Sequence, residues 1–195
     1  MDYSLMRLKL TSFANREIVK STAVNYALGI FVFIILNALG AFVYIRLPFT
    51  PVPFTLQNLF VVISGAIMGP AAGFLSQAGY MLLGGAGFPI FYGGYSGVIH
   101  LFGPTGGYIL GFVFSAWLMG KIIYGKKRNF LTLCGCFSLG MLLILIFGTL
   151  QLSFFIRKDL VTTLKLGMLP FILTDFLKAI IASALVFQLK PGVKR

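Results

Sequence analysis

Asp175 and Lys178 are the only formally charged side chains inside the long uncharged runs of this 195-residue chain, once the charges flanking those runs are set aside. Their i, i+3 spacing puts them on one face of a helix, and Pro170 suits the first turn of that helix. At about 1.5 Å of rise per residue the pair lies ~8–12 Å below the helix end, which is a pocket depth. Burying a charge in lipid costs roughly 2.5–3.5 kcal/mol even on the lenient insertion scale, so such residues face an interior or a cavity and point to function. The carboxylate can accept N–H donors, and the ammonium can donate to a carbonyl or a carboxylate. The competing reading is a closed pair that only fixes packing, although a buried ion pair seldom gains stability over apolar packing.

Gln57 and Asn58 stand in the outer half of the second hydrophobic stretch, Gln77 in the third, and Asn25 and Asn37 in the first. Each could contact a ligand or could join helices through hydrogen bonds worth ~1 kcal/mol. His100 is the sole histidine and has no second ligand at metal spacing, so it reads as a loop residue. Cys134 and Cys136, two apart, point to different faces and make no metal pair. The run from Gly103 to Tyr108 lacks the Lys-Ser/Thr of a phosphate-binding loop, the Gly94-Tyr-Ser-Gly-Val run lacks the last Gly of a nucleophile elbow, and no His-Glu-x-x-His occurs. The expectation is a protein that is not an enzyme, holds no cofactor, and relies on another protein for any uphill work.

The elements that must position these residues follow from composition. The chain is 58% apolar and 10% charged, with 16 Lys+Arg against 4 Asp+Glu. A soluble domain carries roughly a quarter charged residues, and a nucleic-acid binder shows a basic stripe on a polar scaffold. Neither fits, and the expected class is an all-α membrane protein with six transmembrane helices. Thr22 to Ile45 forms the first. Gly69-Pro70 splits the uncharged run from Phe54 to Gly84 into short helices over about 54–69 and 71–84, because Pro disfavours continuous helix. Pro104 to Ile123, with Gly103 as cap and Pro at the first helical position, makes the fourth, Phe130 to Phe155 the fifth and Gly167 to Leu189 the sixth. With the N-terminus inside, eleven basic residues fall on the cytoplasmic side and four outside, namely Arg46, Arg157, Lys158 and Lys165. This positive-inside bias supports the split and puts both termini in the cytoplasm. The whole chain, 1–195, is expected to be a single integral-membrane domain: a cytoplasmic amphipathic lead-in over 1–21, lacking the apolar run of a signal peptide, and a six-helix core over 22–190.

The outer loop between helices three and four, Gly85 to Gly103, has no formal charge and alternates glycines with Phe88, Phe91, Tyr92, Tyr95 and Phe102. Non-helical backbone lies at membrane depth only where protein buries it or where it lines a cavity. The loop therefore reads as a lid over a binding site, or else as an interfacial segment with its aromatics among headgroups. Gly65, Gly69 and Gly73, like Gly103, Gly107 and Gly111, fall four apart and are expected to form one groove on a helix face in each case. Ala23 and Ala27 make a small-xxx-small pair at the cytoplasmic start of helix one, where a partner helix could dock.

Several segments together resemble the BioY family of biotin transporters: the run from Arg46 to Asn58 (RLPFTPVPFTLQN), Leu83-Gly-Gly-Ala-Gly-Phe-Pro-Ile-Phe91, Gly93-Gly-Tyr-Ser-Gly97, the run from Leu101 to Phe112, and Asp175-Phe-Leu-Lys-Ala179. The resemblance covers roughly residues 22–190. It implies a substrate-binding S component of an energy-coupling-factor (ECF) transporter, in the cell membrane of a prokaryote, that captures biotin from outside. It also implies partners, a coupling transmembrane subunit and a pair of ABC-type ATPases, with Ala23 and Ala27 on the docking face, and no nucleic acid. Biotin would be transported substrate and not cofactor. Asp175 would accept the ureido N–H groups, and Lys178 would meet the ureido carbonyl or the carboxylate. Phe91, Tyr92, Gly94 and Tyr95 would close the loop over the rings, and Gln57 and Asn58 would add polar contacts. One position departs from the pattern: relatives can hold a basic residue where this chain has Tyr95. The alternatives are an S component for another vitamin, a passive biotin facilitator that needs no ATPase, and an intramembrane enzyme using Asp175 and Lys178.

Overall fold

At Gly69-Pro70 the chain turns back on itself. Gly69 holds φ 84°, ψ 177° in the middle of α2 (Gln57–Gly85), a left-handed φ that side chains disfavour. Pro70 follows and supplies no N–H. Gln57 and Tyr80, 23 residues apart, hydrogen-bond at 2.8 Å, whereas one continuous helix would separate them by ~35 Å. The two arms of α2, 57–68 and 70–85, are therefore antiparallel, as the sequence predicts.

The computed structural model describes residues 22–126 and 129–189; the lead-in over 1–21, Lys127, Arg128 and the six C-terminal residues lie outside the described residues. Before α2 come α1 (Thr22–Phe42) and a two-stranded antiparallel ribbon of β1 (Tyr44–Ile45) and β2 (Phe54–Thr55). After it come a 3₁₀ turn (Tyr92–Gly94), α3 (Val98–Leu101), α4 (Gly106–Ile123), α5 (Phe130–Ile156), α6 (Leu160–Gly167) and α7 (Leu169–Phe187). Five stretches are long and apolar enough to cross a membrane: Ala23–Phe42, Gln57–Gly85, Gly106–Ile123, Phe130–Ile156 and Leu160–Phe187. The fold is an all-helical bundle of the membrane type.

Several boundaries differ from expectation, each for a local reason. Phe54 lies in β2 and the helix starts only at Gln57, because Pro51 and Pro53 fix φ and hold their neighbours extended. Residues 44–45 pair with that strand, so α1 stops at Phe42. Pro104 does not open α4. It occupies the preceding turn, with Thr105 as N-cap residue and Gly106 the first helical position. Residues 157–168 hold a helix of their own, α6, capped by Asp159, whose carboxylate accepts from the Thr162 amide at 2.9 Å. Gly167 thus ends α6, and α7 starts at Leu169 with Pro170 in its first turn.

Gly65 and Gly73 do not share one groove on one helix. They face each other across the α2 hairpin, where a Cβ on Gly73 would come within 2.8 Å of the Gly65 Cα, and both abut α4 at the Ala116 carbonyl. Gly120 on α4 abuts Pro70 in turn. The three segments approach as closely as backbones can, the small-residue packing that membranes favour. Gly107 and Gly111 pack α4 against α5 as expected, while Gly103 stays in the turn before α4.

The bundle has two ends. At one, Tyr26 near the start of α1 donates to the Met68 carbonyl at 3.2 Å, Tyr124 covers Gly69, and Phe130 meets Phe187. Lys121 and Lys126 belong to this end. The ribbon, the loop over 86–105 and α6 gather at the other, with Arg46, Arg157, Lys158 and Lys165. An apolar cluster around Phe33, Met119, Phe137 and Val186 fills the first end. A second cluster, richer in aromatics, includes Tyr80, Phe91, Tyr108, Phe112 and Phe171 and surrounds a cavity at the other.

Candidate functional site

The cavity is built from the ribbon, four of the long helices and the loop over 86–105, with Leu145 supplied by α5 and Thr105 by the end of the loop. The β1–β2 ribbon supplies Val52, Pro53 and Thr55; α2 supplies Gln57, Asn58 and Tyr80; α4 supplies Tyr108 and Phe112; α7 supplies Phe171 and Lys178. The space among these residues, its open mouth included, is about 520 Å³. Its walls are mostly apolar and aromatic, with a few polar groups aimed inward.

Lys178 and Asn58 form its floor, with Asp175 behind them. Lys178 Nζ lies 2.7 Å from Asp175 Oδ1, and Asn58 Nδ2 donates to Asp175 Oδ2 at 2.9 Å. Both charged residues are buried, 4% and 3% exposed. Lys178 and Asn58 face the cavity, and the ammonium also stands 4.0 Å from the Phe54 ring centroid. Asp175 sits behind them, against a shallow groove between α5 and α7 that Ser138 and Ile172 help to line. Each of its oxygens holds one partner and keeps a free lone pair. The carboxylate therefore orients the two donors that face the cavity.

Gln57 donates to the Tyr80 hydroxyl at 2.8 Å, and that hydroxyl donates onward to the Ile90 carbonyl in the loop at 2.9 Å. This relay ties both arms of α2 to the lid. Asn37 and Gln77, in contrast, serve packing: Asn37 Nδ2 donates to Gln77 Oε1 at 2.6 Å, and Gln77 Nε2 donates to Ser64 and Ser76, each at 3.2 Å.

The loop over 86–105 folds over the cavity. Phe91 is its wedge, 1% exposed and pressed so closely on Gly84 that no side chain would fit there. Phe91 and Tyr92 line the cavity. Tyr95 is 46% exposed on the outer side, and Gly94, at φ +78°, shapes the turn without lining the cavity. Phe88, Ile99 and Phe102 point outward and are exposed. The inner face of this segment thus lies against the cavity, and its outer face is apolar and exposed.

His100 is central to the lid. Its ring stacks on Phe91 and on Tyr95 with centroids 5.3 Å apart in each case, and Nε2 lies 3.2 Å from Thr105 Oγ1. Burial lowers its pKa from the usual 6.5, so the cluster holds the neutral imidazole. Burial raises the Tyr92 phenol, with a smaller contribution from neighbouring Tyr95. Gln151 on α5 donates to the carbonyls of Leu101 and Gly103 at 2.7 and 2.8 Å and pins the end of the loop. The sequence singles out none of Gln151, Tyr80, Tyr108 and Phe171, and it marks His100 only as a loop residue. A tyrosine in an apolar helix is the signal that was available, since its buried hydroxyl needs a partner.

The BioY family profile matches residues 12–195. This chain belongs to the BioY family. It is 36% identical over 159 residues to the biotin transporter BioY of Thermotoga maritima, covering 82% of this chain and 92% of that protein. It is 37% identical over 158 residues to the probable biotin transporter BioY of Pyrococcus horikoshii, covering 81% and 91%. Its fold matches the crystal structure of the S-component for biotin from an ECF-type ABC transporter with a TM-score of 0.80 and 26% identity, over 88% of this chain and 93% of that one. In this BioY-family member Ala23 and Ala27 are exposed on α1, at the end of the bundle opposite the cavity.

Proposed function

We propose that this chain is the biotin-binding S component of an ECF transporter, a multi-pass membrane subunit that captures biotin from outside for uptake driven by a separate ATPase module. The observation that carries this reading is the lidded cavity whose floor offers Lys178 and Asn58, oriented by Asp175, beneath a roof of Phe91 and Tyr92. Biotin combines a ureido ring having two N–H donors and an acceptor, an apolar thioether ring, an alkyl tail and a carboxylate. The ureido carbonyl meets Lys178 or Asn58, which Asp175 holds in place from behind, and a bond from the ammonium is one that charge makes about twice as strong as a neutral one. Gln57 contributes a further polar contact, and the aromatics cover the rings, with Tyr95 and Gly94 shaping the lid.

The chain crosses the membrane six times, counting the two arms of α2, with both termini in the cytoplasm of a prokaryotic cell. The cavity then opens outward. The cytoplasmic end presents Ala23 and Ala27 to a coupling transmembrane subunit, which links to a pair of ABC-type ATPases. Binding of labelled biotin to the purified protein in detergent tests the capture role. Saturable binding displaced by biotin and not by other vitamins is expected, and a folded protein that binds none overturns it. Asp175→Ala should weaken binding by about tenfold or more, ~1.4 kcal/mol, while the protein still inserts.

A further inference from the structure

The cavity meets a ligand carboxylate with little charge to spare. Among the described residues lining it, Lys178 is the one cation, and its ammonium is already paired with Asp175 at 2.7 Å. Tyr95, on the lid, offers at most a neutral hydroxyl. Of the basic residues at this end, Arg157, Lys158 and Lys165 lie on the α5–α6 connection and on α6 and do not line the cavity. Arg46 does not line the cavity either, but it stands beside the cavity-lining part of the lid. It follows β1 directly, its guanidinium lies over the Tyr44 ring at 5.6 Å, and it reaches the lid so closely that a Cβ on Gly93 would stand 3.6 Å from it. Tyr44 in turn packs edge-on against Tyr92, a cavity-lining residue, with centroids 6.0 Å apart. Among the described residues no carboxylate pairs with Arg46.

We propose that Arg46 recognises the carboxylate of the bound acid at the cavity mouth, selecting the charged acid over its neutral amide. The inference rests on the capture of biotin by this cavity. With the ureido ring on the floor beside Lys178, the flexible alkyl tail runs toward the mouth, where a planar guanidinium suits a carboxylate. The ribbon holds Arg46 within van der Waals reach of the lid backbone at Gly93. Because Arg46 is exposed, its charge is partly screened, so the contribution is modest and falls with added salt.

The test is equilibrium binding of biotin and of biotin amide to the purified full chain and to Arg46→Gln, at low and high salt. The unsubstituted protein should prefer the acid, and Arg46→Gln should weaken acid binding by about fivefold while leaving amide binding unchanged, so that the preference and its salt dependence both shrink. Arg46→Lys should restore part of the preference. Equal weakening of acid and amide would assign Arg46 to lid packing and overturn the proposal, as would unchanged binding of both. Failure of the unsubstituted protein to bind either ligand would overturn the capture reading itself.

Discussion

α1 and α4 are both apolar enough to span a membrane, yet they occupy opposite positions in the bundle. The α1 stretch has the higher mean hydropathy, 2.0 against 1.4, but 17% of it is buried inside the protein against 67% for α4. Hydrophobicity thus runs against burial here. In lipid the surroundings are as apolar as the core, and close backbone approach decides which helix goes to the centre. α4 carries Gly107, Gly111, Ala116 and Gly120, which seat it against α5 and the α2 hairpin. α1 instead exposes Phe31, Val32 and Leu39, and its short residues Ala23 and Ala27 face outward too.

The comparison breaks most visibly at Gly65. Adding bulk there forces the Ala116 carbonyl away, so Gly65→Leu should cost about 3 kcal/mol or more, read as lost thermal stability in detergent. Leu28→Val on the outward side of α1 should change stability by no more than about 0.5 kcal/mol. Equal losses would mean that α1 is as tightly integrated as α4. A smaller effect is expected at the α1 surface itself. Ala27→Leu should leave biotin affinity within about twofold while weakening assembly with the coupling subunit and uptake by about fivefold, ~1 kcal/mol of docking energy. Normal assembly would remove α1 from the partner face.

The smallest expected effect concerns the lid. Since burial depresses the His100 pKa below 6.5, the closed lid favours the neutral ring and the open lid takes up the proton first. Closure is then fully supported above that pH and is weakened as the pH falls below it. Biotin release should quicken by about two- to threefold between pH 7.5 and pH 5.5, ~0.5 kcal/mol, and His100→Phe, which keeps a stacked ring, should flatten the profile. A wild-type rate independent of pH would exclude this role.

Much of this arrangement can be read from residue types. Gly69-Pro70 marks the hairpin turn because one residue tolerates the left-handed φ and the next forbids the helical bond. Asp175 and Lys178 stand out because charge inside an apolar run is costly. The order of the pair is less legible. Spacing puts them on one face, but only packing determines that Lys178 and Asn58 face the cavity while Asp175 stands behind. Gly65 and Gly73 mislead for a related reason, as a repeat of four means one face only while the helix continues, and a turn lies between them. Asp159 before Leu-Val-Thr has the form of a helix cap, but the eight-residue helix it starts is too short to stand out as a span. His100 reads as a plain loop residue because its partners, Phe91, Tyr95 and Thr105, converge on it only after the loop folds.

One backbone hydrogen bond sets how the lid can move. The Gly97 amide donates to the Gly84 carbonyl at 2.7 Å, at the point where the loop leaves α2 and returns. The segment between them is therefore a closed circuit whose ends are already joined, and swinging it outward leaves that junction and the helices beyond it in register. Opening the segment requires peeling Phe91, 1% exposed, from its seat on Gly84. The hold on a captured vitamin thus includes one aromatic side chain and the bare backbone beneath it.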